Sequence, residues 1–408
     1  MGIIQRIRKD IDFHRDELIR QIDVLLVLYM VAYSVTTSLN GSNKYCNFIA
    51  SLFMLFAVLY CFLDCRSLVS VFSVSYLLFV IYSFLTVLWS PLKDVTLETS
   101  ITFARLLLIS VLIYNYLDSQ GKKDLVLRGF VISGLIVCFY IILFYSPKEY
   151  LQGIRNNNRM GWDIVSINQG SLFLMTDALI CFWFVLFRKR WWDIVPALMF
   201  IFVAIGMGSR AAILVFAVGL FVLLFLCSKG KWRIIIPVLM IAAGFIGFKL
   251  LSLPAFGVLH ARLESFLKVF TDRSQADGST TVRIDMLGWG LKQFLKTPVF
   301  GLGIQTGGVV MAEYNTPLDI FHNLYVELLS GGGIVGFSLY FFLWIYPFVK
   351  LIKPALKGRD DAVISIVLIA VMASGFVFGS EYTEKPFSVV LCYLFLTVSH
   401  YKKEGYLK

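Results

Sequence analysis

Apolar runs of 18 or more residues recur from one end of this 408-residue chain to the other, divided by short polar stretches. As a helix, each run is long enough to cross roughly 30 Å of hydrocarbon. Twelve spans are expected, at about 22–39, 44–63, 68–89, 100–117, 125–146, 167–187, 191–208, 209–227, 234–252, 323–349, 362–380 and 385–401. The seventh and eighth meet at Gly206–Arg210 with almost no loop between them. The fold class is therefore all-α, a polytopic membrane protein. Residues 1–21 form an N-terminal segment, 22–252 carry spans one to nine, 253–321 form one large loop, and 322–408 hold the last three spans and a tail.

Composition agrees with the pattern: 58% of residues are hydrophobic, 15% are charged and the mean hydropathy is +0.79. Soluble domains are about half apolar and a quarter charged. The net charge of +11 does not point to nucleic acid, because most Lys and Arg sit in short loops between spans, where they report topology. With the N-terminus inside, 22 of the 37 basic residues fall on inside segments. Seven more belong to one long segment, Lys249 to Lys296, which the short-loop rule does not count; eight remain outside. Both termini are thus expected in the cytoplasm. MGIIQRIRKDIDFHRDELIRQ is too polar for a secretory signal, and Ile3, Ile7, Ile11, Leu18 and Ile22 give it the stripe of an interfacial helix.

Two outer segments follow from this topology. SPKEYLQGIRNNNRMGWDIVSINQG holds Arg155, Arg159 and Asn168 beside a run of asparagines. The longer one, roughly Ser252–Phe321, predicts a short amphipathic helix in GVLHARLESFLKVF, then the loop DRSQADGST. A second helix, VRIDMLGWGLKQFLK, is stopped by Thr297-Pro298. VFGLGIQTGG is too glycine-rich for regular structure and is expected to wrap close to a ligand or a neighbouring backbone. No internal repeat is visible, and the largest polar segment lies between spans nine and ten; a two-half transporter would normally place it between six and seven.

Few residues can carry chemistry. Of four histidines, His260 and His322 are expected outside, and His322 directly precedes the tenth span, where lipid-linked head groups lie. Arg210 sits among small residues in Gly-Met-Gly-Ser-Arg-Ala-Ala at the outer end of the eighth span. Arg283 opens the second outer helix, where an anion is favoured both by backbone N–H groups and by the guanidinium, whose fork matches phosphate oxygens. Arg105, a few residues inside the fourth span, is a further candidate for the same pocket. The seven cysteines form no C-x-x-C pair and lie almost all in apolar runs, so neither a disulfide nor a metal is inferred. The outer segments hold no D-x-D pair, and the chain has no HExxH, P-loop or GxSxG, which argues against a metal-dependent glycosyltransferase or an NTPase.

Three elements together carry a resemblance: G-M-G-S-R-A-A; the Arg283 helix ending in K-T-P-V-F-G-L-G; and H-N-L-Y-V-E-L-L-S-G-G-G-I-V-G from His322. The chain resembles the O-antigen ligase and O-antigen polymerase superfamily, by motif over roughly 155–345 and by span order throughout. The resemblance implies inverting glycosyltransfer on the outer face of the cytoplasmic membrane, without metal or other cofactor. The implied partners are an undecaprenyl-diphosphate-linked glycan donor, a glycan acceptor and membrane lipids, with a chain-length regulator and a flippase as candidate further partners. His322, Arg210 and Arg283 would take the family's catalytic positions; Arg105, Arg155, Arg159, Asn168, Asn323 and Glu327 are expected to bind substrate, Glu327 also to orient His322. A diphosphate leaves readily once its charge is stabilised, and a neutral imidazole suits removal of a hydroxyl proton. Phe321 in place of a second histidine, together with the long loop, favours a polymerase. A ligase acting on lipid A-core and a polyprenyl-glycan flippase are the alternatives.

Overall fold

The computed structural model describes residues 3–38, 43–63, 68–156, 158, 160–161, 166–251, 278–316, 318–379 and 383–407. The expected helix over GVLHARLESFLKVF with His260, and the candidate Arg159, lie outside the described residues. The described residues are mostly helical and hold no strand, and seven of the helices are by themselves long and apolar enough to cross a membrane. It is an all-α polytopic membrane protein.

The helices are α1 (Ile3–Ser38), α2 (Asn43–Leu63), α3 (Val71–Thr86), α4 (Lys93–Gln120), α5 (Asp124–Tyr145), α6 (Pro147–Arg155), α7 (Ile167–Arg188), α8 (Ile194–Met207), α9 (Arg210–Cys227) and α10 (Trp232–Leu251). After the undescribed stretch come α11 (Gly278–Lys296), α12 (Gly307–Glu313), α13 (Leu324–Leu356), α14 (Asp360–Gly375) and α15 (Lys385–Lys403). The N-terminal segment expected to be an interfacial helix runs unbroken into the first span as α1, 36 residues in all. At 1.5 Å per residue that is about 54 Å, well over a hydrocarbon thickness.

Local chemistry sets several boundaries. Ser70 and Ser73 form a reciprocal capping box at the start of α3, and Ser209 caps α9 by accepting the Ala212 N–H at 3.4 Å. Gly208, in a left-handed conformation, closes α8 and lets the chain reverse into α9 within two residues. The almost loopless junction read from the sequence is therefore a two-residue turn at Gly208 and Ser209, with both helices packed on α7.

Helix packing defines two ends of the bundle. Arg188 at the end of α7 pairs with Asp124, Asp360 and Asp361, so the α7 terminus lies beside the start of α14. Asn168, at the start of α7, lies 3.3 Å from the Ser209 hydroxyl at the start of α9. The start of α9 therefore belongs with the far end of α14. A side chain at Gly219 would collide with Leu179 of α7 and Val371 of α14, so the small residue lets these three helices approach closely. That far end of α14 also receives His322.

Candidate functional site

Helix α13 contains a break that organises the site. Gly333 has φ +59° and ψ −167°, which no helix accommodates, and the helical ladder is interrupted there. The orphaned groups are all claimed by neighbours. The carbonyls of Ser330 and Gly331 accept from the backbone N–H groups of Leu302 and Gly303 at 2.9 and 2.8 Å. The Gly332 carbonyl accepts from the Tyr82 hydroxyl at 2.7 Å. On the other side of the break, the N–H groups of Ile334 and Val335 donate to the carbonyls of Pro298 and Val299 at 2.9 and 3.2 Å. Irregular backbone at such a depth is tolerated only when its polar groups are satisfied within the protein. The expected close wrapping of VFGLGIQTGG is thus a backbone-to-backbone seam against G-G-G. A Cβ at Gly301 would strike the backbone of Gly331, and one at Gly333 the backbone of Val299.

The loop before α13 is fixed with equal thoroughness. Asn323 caps the helix, its side-chain oxygen accepting the Val326 N–H at 3.1 Å while its amide donates to the Val377 carbonyl at 3.1 Å. The Leu324 N–H donates to the Phe376 carbonyl at 2.9 Å. Glu327 is 1% exposed, and its Oε2 accepts the Phe321 N–H at 3.1 Å. Its Oε1 has no hydrogen-bond partner, and the carboxylate faces the Gly307 backbone. Between these anchors His322 takes φ +51°, a left-handed conformation that a histidine adopts at a cost of order 1–3 kcal/mol. The surroundings fix that conformation and leave the imidazole half-buried.

Helix α11 brings Arg283 to this loop. Phe321 packs in a small cluster with Met286 of α11, Val310 and Met311 of α12, and Val326 of α13. Gly290 lets α11 come this near, since a Cβ there would meet Val326 and Phe321. Arg283, Met286 and Gly290 follow the i, i+3, i+7 spacing of one helix face, so Arg283 lies on the face turned to the histidine loop. Burial, and next the Arg283 guanidinium, hold the His322 imidazole below its ordinary pKa. The side chain therefore stays neutral, and able to accept a proton, at a lower pH than a free histidine.

Two corrections to the sequence reading follow. Helix α11 begins at Gly278, which puts Arg283 in the second turn. The dipole argument fades beyond the first turn and does not apply to it. It applies instead to Arg210, the first residue of α9. Glu327 and Asn323, expected to bind substrate, are buried at 1% and 6% exposure and act on the backbone that carries His322.

The remaining candidates are dispersed. Arg210 and Asn168 sit together at the α7–α9 corner; α6 and the segment after it are tied to α8, the Tyr150 hydroxyl donating to the Val203 carbonyl at 2.6 Å and the Met160 N–H to the Gly206 carbonyl at 3.1 Å. They share an end of the bundle with His322, with the tip of α14 between. Arg155 closes α6. Arg105 lies exposed on α4, twelve residues, or about 18 Å, beyond that helix's start. Tyr82 was not foreseen, because an aromatic residue inside an apolar run gives no sign that its hydroxyl will span two strands of backbone.

Residues 195–341 match the family model described as O-antigen ligase. This stretch, about a third of the chain, is similar to the O-antigen ligase and polymerase superfamily. The matched stretch begins in α8, ends inside α13 and contains Arg210, Arg283, His322, Asn323 and Glu327. Members of this family are glycosyltransferase-like ligases and polymerases of lipid-linked glycans. No curated protein matches the chain.

Proposed function

We propose that the chain is a polymerase that joins undecaprenyl-diphosphate-linked oligosaccharide units on the outer face of the cytoplasmic membrane. The observation that carries this reading is the pairing of Arg283 with a half-buried, neutral His322 in a loop whose backbone is fixed on every side. In this mechanism the imidazole takes the proton of an acceptor hydroxyl as that oxygen attacks the anomeric carbon of the donor. The bond from that carbon to the diphosphate oxygen breaks, and the leaving group departs as polyprenyl diphosphate. Arg283 and Arg210 stabilise the charge that develops on it, with the α9 N-terminus adding its dipole at Arg210.

The test is His322→Ala in cells. General-base assistance contributes about 10²–10⁴ in rate, so polymer should fall to near nothing while single lipid-linked units gather where external probes reach them. Full-length polymer from this variant would refute the role of His322. Units trapped on the inner side would instead favour the transporter. The ligase reading differs in its acceptor, so transfer to lipid A-core by the purified chain would replace polymerase with ligase and leave the residue roles unchanged.

A further inference from the structure

A cavity of about 290 Å³ opens beside the histidine loop. It is walled by Glu98 and Thr102 of α4, by Gln305, by Ile320, and by Thr383 and Glu384 at the start of α15. Ile320 stands two residues before His322. Two Cα–Cα steps of 3.8 Å put the two backbones within about 8 Å of each other. The catalytic loop is therefore one wall of the cavity.

The lining has a one-sided chemistry. Two glutamates, three threonines and a glutamine line the space beside Ile320, with no cation and no aromatic ring among the described lining residues, and the Thr102 hydroxyl donates to the Glu98 carbonyl at 3.0 Å, leaving its oxygen free to accept. The wall at Gln305 is also rigid. Thr96 of α4 donates to the Ile304 carbonyl at 2.9 Å and bonds the Ser90 hydroxyl at 2.7 Å, while the Thr306 hydroxyl donates to the Gly303 carbonyl at 2.6 Å. Between these ties Gln305 holds φ +61°. Carboxylates and amides are strong acceptors for sugar hydroxyls, and hydrogen bonds to charged groups are the stronger class. The same carboxylates repel phosphates and uronates.

We infer that this cavity is the subsite for an uncharged sugar of the acceptor glycan. The inference rests on the transfer reaction proposed above and adds the charge class of its acceptor. Charge divides the two substrates: the diphosphate belongs with the arginines, and the polyol belongs with Glu98 and Glu384. The acceptor must be the one beside Ile320, because the base has to reach its hydroxyl. Glu98 and Thr102 lie four residues apart on one face of α4, so a ring bound there bridges successive helical turns.

The experiment uses the full chain in detergent and saturation-transfer NMR with three probes: galactose, N-acetylglucosamine and glucuronate. At least one neutral sugar should receive saturation, and glucuronate should not. Glu98→Gln combined with Thr102→Val should weaken neutral-sugar binding by about tenfold or more, the effect of losing one charge-assisted hydrogen bond. Glu98→Gln alone keeps the side chain's shape on an exposed position and should show most of that loss, and an unchanged melting temperature excludes misfolding as its cause. Neutral-sugar binding should survive Arg283→Gln. Glucuronate saturating as well as the neutral sugars, a neutral-sugar signal that persists in the double variant, or no such signal in the unaltered chain would overturn the inference. The two readings fail separately. If His322→Ala abolishes polymer but the double variant binds sugar normally, only the subsite falls. If His322→Ala makes normal polymer while the sugar signal still maps to Glu98, only the transfer role falls.

Discussion

The two ends of the helix bundle hold their polar residues in opposite ways. At the Arg188 end, charges answer charges: Arg188 meets Asp361 at 3.0 Å, Asp360 at 3.3 Å and Asp124 at 3.4 Å, and Lys123 meets Asp361 at 2.8 Å. Those pairs lock α5, α7 and α14 together, and the Arg188 guanidinium also lies over the Trp183 ring, 5.2 Å from its centroid. At the His322 end the fixing is done by backbone. Carbonyls and N–H groups of one segment complete another, a buried carboxylate holds an N–H, and left-handed conformations recur at Gln305, Asn315 and His322. The contrast teaches how to tell scaffold from site in a membrane bundle. A cation satisfied by short ion pairs between helices is structural. Arg283 is instead carried to a strained, backbone-determined histidine, whose imidazole its charge reaches.

Six substitutions can break or sharpen that contrast, beyond His322→Ala. The largest effect belongs to Arg283. Arg283→Lys and Arg283→Gln should both lower activity by about tenfold to a hundredfold, since each loses the bidentate fork. Burial is the larger cause of the lowered imidazole pKa, and only the glutamine removes the second, the positive charge of Arg283. A raised pKa leaves less neutral base at a given pH, so the acid limb of the rate profile should move to higher pH in Arg283→Gln and stay in place in Arg283→Lys. Equal movement in both variants would separate the arginine from the histidine.

Next comes a glycine pair with similar φ and different surroundings. Gly333→Ala adds left-handed strain of about 1–3 kcal/mol to a collision with the Val299 backbone, so folded protein should be scarce and its melting temperature many degrees lower. Gly358 at the Arg188 end has φ +75° with nothing near a new Cβ. Gly358→Ala should cost only about 1 kcal/mol. Similar thermal shifts for the two would show that the seam along α13 is not tight.

Arg188→Ala tests the scaffold end. It leaves the Asp361 side chain, 8% exposed, with one cation fewer. Because Arg188 itself is partly exposed, the loss is about 1–2 kcal/mol. The folded fraction should keep its full turnover; a fall in turnover per folded molecule would give this end a part in the reaction. The smallest effect is expected from Tyr82→Phe, which removes a hydroxyl bonded to Gly332 at 2.7 Å and Phe300 at 2.9 Å. About 1 kcal/mol of stability should disappear, measurable as a modest shift in thermal unfolding.

Most of the fold could be read from apolar runs, because lipid imposes length and composition on every span. The candidate histidine and arginine stand out in the sequence for a different reason: few polar residues border a span without belonging to a loop's charge pattern. What escaped reading depends on long-range contact. Glu327 could be singled out beside His322 in the sequence, but only the folded loop shows that the group it holds is the Phe321 N–H. The true start of α11 was hidden because Gly278 and Ser279 carry weak helix signals, while the packing of Met286 and Gly290 makes the helix worth extending. Glu98 and Thr102 carry no motif of their own, although with Arg105 they keep the i, i+4, i+7 spacing of one face.

The break at Gly333 also works as a ruler. Counted from Ile334 to Leu356, the second part of α13 has 23 residues, about 34 Å of axial rise and enough on its own to cross the hydrocarbon. The first part, Leu324–Gly332, has nine residues and adds up to about 13 Å beyond it. The distance of His322 from the break is therefore set by a counted stretch of helix, docked on a backbone seam. A residue added or removed within that stretch would rotate the histidine by about 100° around the helix axis and change its height by only about 1.5 Å, so for this site the angle is the more demanding coordinate.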